Sequence, residues 1–142
     1  MMARLLPGSF PRSVWLINND VMPAVVTLTL GNYPIYMAPG SPNSPIGQSP
    51  YGMLLGRPIM VSQHAKSFSA AGDVCLVDMK GYRTITKSEG LATATSMHLY
   101  FDADAMAFRT TFRVDGAPKA SAAVSPANGS NTLSWFVQLG AR

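Results

Sequence analysis

The chain has 142 residues, enough for one domain with a real core and too few for two of ordinary size. Apolar residues make up 47% and charged residues 13%, about half the ~25% usual in soluble domains. The net charge of +4 comes from eleven Lys and Arg scattered singly, so sequence-specific nucleic-acid binding has no support.

A surface so poor in charge is either covered by partners or built from Ser, Thr and Asn. The single Cys75 sits in the run Val74-Cys75-Leu76-Val77 and reads as a buried small hydrophobe; an internal disulfide is excluded. Residues 1–6 carry one Arg and no apolar stretch of signal-peptide length. The longest apolar run, residues 21–30, falls short of the ~20 residues that span a bilayer, so no membrane partner is expected.

Residues 1–11, with Pro7-Gly8-Ser9, read as an opening loop ahead of one α+β domain over residues 12–142. Residues 13–17 form a run of strand formers that predicts a strand buried on both faces. With Asp20 as N-cap, Pro23 in the first turn and Gly31 at the C-terminal end, an eleven-residue helix is expected over residues 20–30. Residues 32–56 hold five of the eleven prolines and read as a functional loop, with a brief edge strand at residues 33–37. Strands follow at residues 57–62, 74–79 and 82–86, and a last one at residues 132–139. Strand, helix and then mostly strands argue α+β with a sheet-dominated core and few helices.

The centre of the chain is residues 91–115. Leu91, Thr93, Thr95, Met97, Leu99 and Phe101 share one side. After the turn-forming Asp102-Ala103-Asp104, Met106, Phe108, Thr110, Phe112 and Val114 share a side and Arg109 and Arg113 the other. Period two on both arms predicts a long β-hairpin with an apolar and a basic face. A hairpin of such length suits a part that reaches a neighbouring module or subunit. Arg109 and Arg113 are either a cationic stripe for an acidic partner or phosphate, or a solvated outer face.

Residues that could carry catalysis are few. His64 and His98 have no cysteine or carboxylate at metal-ligand spacing, and no cofactor or metal is expected. Asp102 and Asp104 read as turn residues bonded to nearby amides. Gly47-Gln48-Ser49-Pro50-Tyr51 lacks the final Gly of a nucleophile elbow, and no phosphate loop is present. These residues do not make an enzyme.

Several motifs together resemble a family. Ser13-Val14-Trp15-Leu16-Ile17-Asn18-Asn19-Asp20, Leu54-Leu55-Gly56-Arg57-Pro58-Ile59, Gly72-Asp73-Val74, Phe108-Arg109, Arg113-Val114-Asp115-Gly116 and Asn128-Gly129-Ser130-Asn131-Thr132-Leu133-Ser134 are similar to the C-terminal half of tailed-phage major capsid proteins of the Hong Kong 97 type. The resemblance implies the C-terminal part of that fold, with residues 12–100 as axial domain and residues 101–142 returning towards the peripheral domain. The implied function is a structural subunit of a phage or prophage capsid. It would form pentamers and hexamers of an icosahedral shell around double-stranded DNA, with non-specific phosphate contacts at most.

Implied partners are further copies of the chain and a scaffold or maturation protease. The implied place is the virion, and the host cytoplasm during assembly. Tyr36, Pro39, Pro42, Pro45, Tyr51, Arg109 and Arg113 are the candidate subunit-interface residues. The family's N-terminal arm, extended loop and spine helix have no counterpart, so the chain reads as a fragment; Trp135 stands where the family pattern has Pro. Two other readings compete: a small β-rich binding module contacting ligand through Tyr33, Tyr36 and Tyr51, and a hydrolase using His64 or His98.

Overall fold

The computed structural model describes residues 1–40 and 50–141. The chain divides into two compact units, Met1–Gly81 with Ala120–Arg142, and Tyr82–Lys119.

The first unit is built on a six-stranded sheet. Its elements in chain order are β1 (Val14–Ile17), α1 (Met22–Val26), β2 (Thr29–Leu30), β3 (Tyr33–Pro34), β4 (Tyr36–Met37), β5 (Met53–Leu54), β6 (Arg57–Val61) and β7 (Val74–Val77). The second unit contributes β8 (Tyr82–Tyr100) and β9 (Ala105–Pro118), and β10 (Phe136–Gln138) returns to the first. The sheet order is β10-β7-β1-β6-β5-β4, with β1 parallel to β6 and antiparallel to β7. The expected strand over residues 132–139 shortens to β10 and closes that sheet at one edge.

β1 is the axis of the core. Trp15 and Ile17 are buried while Val14 and Leu16 are only half-buried, so the strand alternates instead of being buried on both faces. Its buried side joins Leu5, Val21, Val25, Leu54, Ile59, Val74, Leu76 and Val137 in one cluster. Each such side chain contributes ~1.5–3 kcal/mol on burial. The expected opening loop is instead two 3-10 turns, Met2–Arg4 and Pro7–Arg12; Leu5 between them enters this core, and Ser134 N–H donates to Arg4 O at 2.9 Å to hold it there.

The helix is less than half its expected length. Asn18, not Asp20, is the cap: its side chain accepts from Asp20 N–H at 3.1 Å, and a 3-10 turn over Asn19–Val21 leads into five residues of α1. Val25, Val26 and Thr27 are β-branched and poor helix propagators. Thr27 Oγ1 donates back to Ala24 O at 3.0 Å, and Leu28 N–H bonds Val25 O in a tightened last turn. Gly31, at φ +61, then turns β2 into β3 and does not end the helix.

The turn between β5 and β6 has two residues, Leu55 and Gly56, at φ 51 and 73. Two successive positive φ values are the geometry of a type I′ hairpin, which favours Asn-Gly; Leu55 adopts it under strain. Gly81 is buried because the Trp135 side chain lies against it, leaving no room for a Cβ.

The second unit is a single hairpin. The strand expected at residues 82–86 and the one expected at residues 91–101 are one continuous β8, with register shifts between Thr86 and Leu91 and between Ser96 and Tyr100. Glycine at position 90, φ +58, lies inside the first of these, a bulge. β9 pairs antiparallel with β8 from Tyr82↔Pro118 to Tyr100↔Ala105. The turn is a 3-10 segment over Phe101–Ala103, closed by Asp104 in the left-handed region.

Candidate assembly surface

Cross-strand partners share a face of the ribbon. Phe108 lies opposite Thr95, Thr110 opposite Thr93, Phe112 opposite Leu91 and Val114 opposite Thr86, which makes one apolar face. Arg109 opposite Ala94, Thr111 opposite Ala92 and Ala107 opposite Ser96 make the other. The apolar and basic faces expected from period two are therefore present, on a ribbon longer than the alternation suggested.

That apolar face is open. Phe108 is 77% exposed, Leu99 68%, Leu91 63% and Phe112 55%. A two-stranded ribbon is marginal in water by itself, and here its exposed apolar side chains are interleaved with Thr86, Thr93, Thr95 and Thr110. Each strand pairs along one edge only, so the ribbon presents unpaired outer backbone groups as well as uncovered side chains.

On the opposite face the bulge creates a depression of about 240 Å³. Gly90, Ala92 and Thr111 line it with small groups, and Lys87, Arg109 and Arg113 supply the charge. Arg109 and Arg113 are thus brought together as expected. Lys87 and the bulge were not anticipated from sequence, because the alternation at residues 82–86 ends in the polar stretch Lys87-Ser88-Glu89.

The hairpin tip differs in detail from expectation. Asp102 and Asp104 occupy the turn, but their carboxylates accept no hydrogen bond among the described residues; the turn closes through Asp104 N–H to Phe101 O at 3.4 Å. Phe101 is 82% exposed beside them.

Three of the other candidate residues, Tyr36, Pro39 and Tyr51, lie in the first unit. Tyr36 is half-buried on the edge strand β4, and its hydroxyl donates to Tyr51 O at 3.2 Å, which joins those two residues. Gly52, at φ +79, must be glycine there, because a Cβ would run into Met37 O and the Tyr36 ring. Pro39 is exposed. Pro42 and Pro45 lie outside the described residues.

The motif residues of the first unit hold the fold. Trp15 Nε1 donates to Leu54 O at 2.8 Å, and Arg57 Nε donates to Ser13 O at 2.9 Å. Asn18 Nδ2 donates to Ala65 O at 2.7 Å. Asp73, fully buried, accepts from Ser69 N–H at 3.1 Å. Asp78 is also buried. Burial works to raise its pKa, but the Ser9 hydroxyl, Lys80 N–H and the Arg12 guanidinium at 3.0 Å outweigh it and hold the carboxyl below its usual range.

Catalytic chemistry finds little here. His64 and His98 are exposed, and no group of three metal-ligating side chains converges among the described residues. Cys75 is half-buried, its thiol pushed up by burial and by Asp73, which leaves it a poor nucleophile.

Among the described residues no helix is long and apolar enough to cross a membrane. Neither a curated protein nor a solved structure matches the chain significantly. A family model described as the phage capsid family matches residues 1–129, a span that takes in β1 to β9 and the whole apolar ribbon. A fold-holding set of buried polar groups and an open apolar surface suit a protein that works by packing, and the chain belongs to the phage capsid family, the structural proteins that assemble into a phage shell.

Proposed function

We propose that the chain is the C-terminal part of a major capsid subunit of the Hong Kong 97 type, which packs into pentamers and hexamers of an icosahedral shell around double-stranded DNA. The observation that carries this is the β8–β9 ribbon, 19 and 14 residues long, with its apolar face in solvent. Burial of that face against neighbouring subunits or the remainder of the subunit supplies the hydrophobic drive for assembly. In this reading residues 12–100 belong to the axial part and residues 101–142 return towards the peripheral part. Tyr36, Pro39 and Tyr51 on the β4 edge, together with Pro42 and Pro45, form a further contact between copies.

Enzymatic activity has no role in this reading, and a scaffold or maturation protease acts on the subunit from outside. DNA meets it through phosphate contacts without sequence preference. The subunit passes from the host cytoplasm to the virion.

Light scattering over a hundredfold dilution series tests the reading. Loose, concentration-dependent oligomers that dissociate on dilution are expected. A dilution-stable, highly soluble monomer would contradict it.

A further inference from the structure

We infer that the tip of the β8–β9 hairpin in one copy seats on the Arg109–Arg113 face of the same hairpin in a second copy. This rests on the reading of the chain as a shell subunit and adds which two surfaces meet.

Charge is uneven along the ribbon, and the basic stripe also holds one acid, Asp115, two residues beyond Arg113. The tip carries Asp102 and Asp104, both exposed, and the opposite signs sit on Arg109 and Arg113, also exposed. Among the described residues none of the four makes an ion pair or a side-chain hydrogen bond. Asp104 precedes Arg109 by five residues, roughly 17 Å along an extended strand. That is about twice the Debye length in physiological salt, so the tip does not neutralise the stripe of its own hairpin.

Shape agrees with charge. The depression beside the bulge is walled by Gly90, Ala92 and Thr111 and flanked by Lys87, Arg109 and Arg113. Small residues between cations leave room for an aromatic ring that carries carboxylates at its side. The tip presents that combination in Phe101, Asp102 and Asp104. In the contact Phe101 enters the depression, the guanidinium groups stack on its ring, and the same groups donate to the two carboxylates.

Tip and depression are different surfaces of one chain, so the contact is heterologous. Each copy offers one of each, and successive copies close a ring if the rotation permits. A nucleic-acid phosphate would satisfy the cations but would leave Phe101 in water and repel the acidic tip. The second copy accounts for both surfaces.

Charge reversal in the 142-residue chain, read by sedimentation equilibrium, tests this. Asp102→Lys with Asp104→Lys weakens self-association by about tenfold, and so does Arg109→Glu with Arg113→Glu. Combined in one chain, the four changes restore association to within about threefold of the parent. Phe101→Ala weakens it by about tenfold while the circular dichroism spectrum stays the same. Reversals that leave association unchanged would overturn the proposal and leave the shell-subunit reading standing, with the apolar face carrying the contact. Stripe reversal that removes binding to a DNA duplex while association persists would equally overturn it. A parent chain that never associates would overturn both.

Discussion

Two pairs of strands in this molecule treat their apolar side chains in opposite ways. Val14–Ile17 and Val74–Val77 pair with each other and place Ile17 and Leu76 at 0% exposure, whereas Phe108 and Phe112 stand in solvent. The difference lies in what surrounds each pair of strands. β1 and β7 have neighbours on both edges, a helix nearby, and loops whose polar groups are tied to the sheet by Trp15, Asn18 and Arg57. β8 and β9 have only each other. Burial therefore stabilises the first pair within one chain, while the second has to draw its stability from surfaces beyond its own two strands.

Substitutions separate the two regions. Trp15→Ala removes a buried ring and its bond to Leu54 O, and should cost about 3–5 kcal/mol in chemical denaturation. Phe108→Ser with Phe112→Ser should leave the unfolding of the dilute chain within about 0.5 kcal/mol per site, yet reduce light scattering at high concentration. An equal loss of stability from both sets would erase the distinction between a core and an assembly face.

Gly81→Ala sharpens it on the core side. The new methyl meets the Trp135 side chain, and a cost of about 1–3 kcal/mol is expected from thermal unfolding.

Asp78 gives the comparison a pH axis. Its folded pKa is lowered, so its contribution is complete above the unfolded value of roughly 3.9 and is lost as pH falls through the folded value. Melting temperature should drop through that acid window, and Asp78→Asn should flatten the drop while lowering stability at pH 7 by about 1–3 kcal/mol.

Leu55→Asn should produce the smallest change, a gain of up to about 1 kcal/mol, by relieving the left-handed strain between β5 and β6.

The sequence disclosed the ribbon because period two is a local signal that survives without tertiary context. Met106 to Val114 alternate cleanly, and Arg109 and Arg113 fall on one face by counting alone. The core strands were legible as apolar runs for the same reason. Asp20, Pro23 and Gly31 all fit the punctuation of a longer helix, while the β-branched Val25-Val26-Thr27 and the pairing of Thr29–Leu30 with Tyr33–Pro34 favour an early exit. The bulge at residues 87–90 was hidden because register depends on the partner strand. The motif residues signalled a family but not their work: nothing local says that Arg57 reaches Ser13 O, 44 positions away in sequence.

The central claim is that the apolar ribbon face is covered when copies associate. Methionine oxidation by dilute peroxide, followed by mass spectrometry, measures this at several positions in one sample. Met97 and Met106 stand two residues from Thr95 and Phe108 along their strands, within the register shift between Ser96 and Tyr100, at 63% and 55% exposure; Met60 and Met79 of the first unit, at 53% and 63%, serve as references. Between dilute and concentrated protein, oxidation of Met97 and Met106 should slow several-fold against Met60 and Met79. Equal rates at all four positions in the associated state would contradict the account.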